Sequence, residues 1–123
     1  MKTTLQIAAA AAALLFAALA FADDDYEHYK GEPSKTLEQA VANLSEYNNR
    51  LEKVLAGELT PEAMNEVHQL TYTLENALQK INEEAADLTD ILEEVHLASE
   101  SNQPAVVKER GEAYLAVSRT LIP

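Results

Sequence analysis

Three histidines and one methionine, His28, His68, His96 and Met64, are the side chains in this sequence best suited to hold a metal or a haem. Glu66-Val67-His68 and Glu94-Val95-His96 repeat one tripeptide four heptads apart. On a continuous helix that spacing separates the two imidazoles by roughly 40 Å, so they share a metal within one chain only if the helix breaks and folds back. Glu93-x-x-His96 has the i, i+3 spacing of di-iron four-helix sites, which need a second such pair and two further inward carboxylates. Asn65 stands three before His68, so the second pair is missing. Met64-x-x-x-His68 puts a thioether and an imidazole on adjacent turns of one helix, whereas an axial Met/His haem needs them on opposite sides of the iron.

The segment Asp23-Asp24-Asp25-Tyr26-Glu27-His28 could gather a divalent cation loosely, since mobile carboxylates impose little geometry. A solvated acidic lead-in over 23–35, extended or disordered, is the simpler expectation. There is no cysteine, which removes thiolate nucleophiles, disulfides and C-x-x-C-H haem attachment. Gly31, Gly57 and Gly111 are isolated and form no phosphate-cradling loop. No pattern places a carboxylate in an apolar pocket that would tune it for acid or base work. A non-enzymatic protein with no cofactor is expected, and a metal or haem carrier using His28, His68, His96 and Met64 is the alternative.

The element that would position these residues is a long amphipathic helix from Thr60 to about Glu100. One apolar row holds Val67, Leu74, Ile81, Leu88 and Val95; a second holds Leu70, Ala77, Ile91 and Ala98, interrupted by Glu84; a flanking row adds Leu78, Ala85 and Leu92. With 3.6 residues per turn these fall on one side of the helix. Thr60 is suited to cap the first turn, Pro61 to the first helical position and Glu62 to the positive end of the dipole. Glu84 in a core row leaves a break between Asn82 and Asp87 open.

A first helix is expected from about Leu37 to Ala56, with a Thr36/Gln39 capping box and Gly57 as its stop. Ser101-Asn102-Gln103-Pro104 marks a turn, and a last helix follows from about Ala105 to Leu121. Gly111 within it is read as allowing close helix approach. The fold class is all-α: an antiparallel three-helix bundle, or an elongated helical hairpin whose outer helices lie along different halves of the central one. In the elongated form part of the stripe stays half exposed, and pairing with a second copy into a four-helix cross-section is the expected remedy.

Residues 1–22 read as a leader: Lys2, an apolar run from Leu5 to Leu19, and Ala20-Phe21-Ala22 as a small-residue cleavage motif, with the cut between Ala22 and Asp23. The helical domain is then 36–123. Loss of Lys2 takes the formal charge from −12 to −13. So acidic a chain repels phosphate backbones and anionic lipid heads, which argues against nucleic-acid partners and against stable membrane insertion once the leader is gone. Five tyrosines are the aromatics that remain, so the core must be aliphatic and thin.

The stretches His28-Tyr29-Lys30-Gly31-Glu32-Pro33, Thr36-Leu37-Glu38-Gln39-Ala40, Leu70-Thr71-Tyr72-Thr73-Leu74-Glu75 and Glu93-Glu94-Val95-His96-Leu97-Ala98-Ser99-Glu100 resemble a family of small, signal-bearing proteobacterial proteins of unknown function. The resemblance spans nearly all of the mature chain and implies an exported helical protein, periplasmic in a Gram-negative source and extracellular otherwise. It carries no activity and no catalytic residue. A fainter similarity is to helical periplasmic stress chaperones, whose helices open with L-T-x-x-Q; Leu59-Thr60-Pro61-Glu62-Ala63 has Ala at the last place. The expectation is an interaction or chaperone-like module working through Leu74, Leu78, Ile81, Leu88, Ile91 and Leu92, with Tyr72 as a further contact and a protein client or a second copy as partner.

Overall fold

The structure, a computed structural model, describes residues 29–123. The leader, the Ala22/Asp23 junction and His28 lie outside the described residues. Among the described residues three helices follow in order: α1 (Leu37–Leu55), α2 (Pro61–Glu100) and α3 (Pro104–Leu121). At 1.5 Å per residue, the 40 residues of α2 make a rod about 60 Å long.

Each helix starts and stops for a local reason. At α1 the Gln39 amide donates to Thr36 Oγ1 (3.2 Å) while the Thr36 amide donates back to Gln39 Oε1 (3.3 Å), closing the capping box. At α2 the Ala63 amide donates to Thr60 Oγ1 (3.2 Å) and Pro61 takes the first position, where no donor is needed. α2 ends in a left-handed cap: Asn102 has φ +51°, the Gln103 amide reaches Ala98 O (2.9 Å), and the Asn102 amide reaches Ser99 O (3.3 Å). Pro104 then opens α3.

The arrangement is the elongated one, in two layers. α1 packs on α2 and α3 packs on α2, whereas α1 and α3 touch little. Because both outer helices run antiparallel to α2, the start of α1 and the end of α3 converge at the middle of α2, around Lys80 and Glu84. The core lies in the α1–α2 half, where Tyr47, Leu70 and Leu74 are buried together with Leu44, Leu51 and Val54 packed on them. Ala40 and Ala77 are fully buried, small enough to let the helices approach. The α2–α3 half is thinner: Leu88 and Ala98 are buried on α2, and no residue of α3 is fully buried.

α2 is continuous through Asn82–Asp87. Glu84 needs no break because it stands at the open seam between α1 and α3, where Lys80 Nζ lies 2.7 Å from its Oε1. That hydrogen bond raises the Lys80 pKa against a smaller opposing effect of desolvation. Gly111 does not serve a close approach: a Cβ built there meets nothing within 4 Å.

Candidate interaction surface

The lead-in is the first feature that sequence patterning did not place. Its described part, 29–35, has no helix or strand and is tied to α2 and α1. The Glu32 amide donates to Thr73 Oγ1 (2.9 Å), and Asn76 Nδ2 donates to Lys30 O (2.9 Å) and Glu32 O (3.0 Å). Asn43 Nδ2 reaches Ser34 Oγ at 3.1 Å. Gly31 makes the approach possible with φ +71°, since a Cβ there would lie 2.7 Å from the Thr73 amide nitrogen. Thr73 and Asn76 interrupt an apolar face, and their spacing of three is the signal that could have revealed a docked strand of backbone.

Lead-in docking brings Tyr29 edge-on to Tyr72, with ring centroids 6.3 Å apart. Tyr72 in turn meets His68, with centroids 5.1 Å apart and the hydroxyl 3.3 Å from Nε2. His96 lies 28 residues further along the same unbroken helix, about 42 Å away, with its Nε2 3.2 Å from Glu100 Oε1. His68 and His96 are therefore not brought together, and Met64 is exposed one turn before His68. Among the described residues no group of three or more His, Asp or Glu is placed to hold a metal ion.

The six residues expected to form one interaction stripe fall into two sets. Leu74 and Leu88 are buried within the chain, and Ile81 and Ile91 are half-buried. Leu78 and Leu92 are each 47% exposed, on a flank of α2 that the described residues leave open. Ala85, also exposed, lies midway between them in the same heptad row. The next row, four residues on, holds Asn82 and Thr89, both exposed. From Leu78 to Leu92 this two-row flank has no charge, although Lys80, Glu83, Glu84, Asp87 and Asp90 crowd the other faces of the same stretch.

Hydroxyls bordering the flank are spent on their own helix. Thr71 Oγ1 donates to His68 O (2.7 Å), Thr89 Oγ1 to Ala85 O (3.3 Å) and Ser99 Oγ to His96 O (2.7 Å). Their donors need nothing from a partner, so the flank is more apolar than its composition. On the opposite side the Arg110 guanidinium forks onto the Glu94 carboxylate, with Nη2 2.9 Å from Oε1, and ties α3 to α2.

A protein-family model, the Family of unknown function (DUF6746), matches residues 1–123. The chain belongs to that family. No curated protein and no solved structure matches it. Membership in the family therefore assigns no site, and the surface must be read from its own chemistry. Among the described residues no helix is long and apolar enough to cross a membrane.

Proposed function

We propose that the protein is exported to the periplasm and acts there without catalysis, as an interaction module whose working surface is the outer flank of α2. The observation that carries this reading is the exposed Leu78–Ala85–Leu92 row, an uncharged apolar strip on a chain of formal charge −12. Charge depletion around exposed aliphatic residues marks the centre of a protein interface rather than ordinary surface. Export is supported by the leader pattern of residues 1–22.

Photo-crosslinking from position 92 tests the surface. A photoreactive side chain replacing Leu92 should join the protein to another polypeptide, and one replacing Asp90, on the opposite face, should not. Protein recovered as an uncrosslinked single chain from both positions overturns the reading. The intact mass of the same preparation tests export: a chain beginning at Asp23 is expected, and a cell-internal chain retaining residues 1–22 refutes it.

A further inference from the structure

The geometry points to a second copy of this chain as the occupant of the flank, bound antiparallel about a two-fold axis at Ala85. This inference rests on the flank being an interaction surface, and adds the partner and its register. The row Thr71, Leu78, Ala85, Leu92, Ser99 reads the same in both directions: hydroxyl, leucine, alanine, leucine, hydroxyl. A two-fold at Ala85 sets Leu78 against the partner's Leu92 and puts the smallest side chain where the two helices come closest. The adjacent row, Glu75, Asn82, Thr89, His96, is centred on nearly the same point. It brings Glu75 to the partner's His96, an acceptor to a donor-capable imidazole. A parallel pair would face Glu75 with its own copy, carboxylate to carboxylate.

The same axis completes the fold's two layers. α1 covers the first half of α2 and α3 the second. Antiparallel pairing therefore places α1 of one copy near the level of α3 of the other, giving four helices in cross-section along the shared stretch of α2, about residues 70–100. The stretch of α2 that the axis maps onto itself, from Thr71 to Ser99, is about 42 Å long, and at a helix width of about 10 Å it offers on the order of 400 Å² per copy. That totals about 800 Å² for the pair, below the size of a stable interface and in the range of weak, transient pairs. A reversible dimer is expected.

The absence of native cysteine makes the register readable. Ala85→Cys, purified after export and treated with a short bismaleimide, should crosslink to itself as a dimer. Leu78→Cys and Leu92→Cys alone should not, because a two-fold at Ala85 separates like positions by about 21 Å along the axis. A mixture of the two should crosslink. Sedimentation of the unmodified protein should show a concentration-dependent dimer, and Leu78→Glu should weaken it at least tenfold while leaving the helical circular dichroism unchanged. Self-crosslinking at all three positions means a parallel pair and overturns the register. A monomer at every concentration overturns the second copy. If position 92 still photo-crosslinks to a different polypeptide, the interaction surface survives that failure; if it crosslinks to nothing, both readings fall together.

Discussion

The amide of Glu32 donates to the hydroxyl of Thr73 across 2.9 Å and 41 positions of sequence. Thr73 is itself fully buried, so this bond both anchors the lead-in and satisfies a polar atom inside the α1–α2 half. Thr73→Val keeps the shape and removes the acceptor. A loss of about 1–2 kcal/mol is expected from urea unfolding midpoints. Gly31→Ala should cost more, at least about 2 kcal/mol, because it adds left-handed backbone strain and pushes the lead-in off the Thr73 backbone. Equal effects of the two variants would contradict the docked geometry.

Leucines on α2 should divide by burial. Leu70→Ala empties a site 1% exposed in the main core and should destabilise by about 2–5 kcal/mol. Leu92→Ala, at 47% exposure, should change the unfolding free energy of an isolated chain by less than about 1 kcal/mol. Thermal melts at low protein concentration make the comparison.

Gly111→Ala should stabilise the chain. The site is helical and open, so the substitution gains roughly 1 kcal/mol of helix propensity with no contact to offend. A lowered melting temperature would show that α3 packs more closely at Gly111 than described.

Acid sensitivity should include a contribution from Glu62. Its pKa is lowered first by its own backbone amide and then by the Thr60 hydroxyl, both favouring the carboxylate. A depressed pKa in the folded state gives stability that is present above the ordinary value of 4.5 and lost as pH falls through the folded value. Glu62→Gln should be less stable than the parent at pH 7 and should converge with it in strong acid. Parallel stability curves for the two proteins from pH 7 into strong acid would remove the cap interaction.

The three helices were legible in the sequence because their ends carry local signals. Thr36 with Gln39, Thr60 with Pro61, and Asn102 before Pro104 each act within a turn or two, so neighbouring residues suffice to read them. Apolar periodicity likewise revealed which side of α2 is fatty. It did not reveal which part of that side is covered, because Leu74 and Leu78 differ by one turn in sequence and by a helix layer in space. Deciding between them requires knowing where α1 lies around α2. Glu84 was ambiguous for the same reason: a charge in a core row looks like a break until the seam between α1 and α3 is seen beside it. The docked lead-in left one faint trace, the polar Thr73 and Asn76 within an apolar face, since most of its anchoring runs from side-chain groups to backbone groups, and backbone carries no sequence.

The unequal thickness of the two halves has a dynamic consequence. α3 has no fully buried residue, while the α1–α2 half holds the Tyr47, Leu70 and Leu74 cluster. Amide protons of α3 should therefore exchange with solvent through a local opening that leaves α1 and the first half of α2 closed. With Glu84 marking the boundary, the single rod of α2 belongs to two cooperative units, one slow to open and one fast. The molecule can release one end of its central helix while the other keeps hold of the fold.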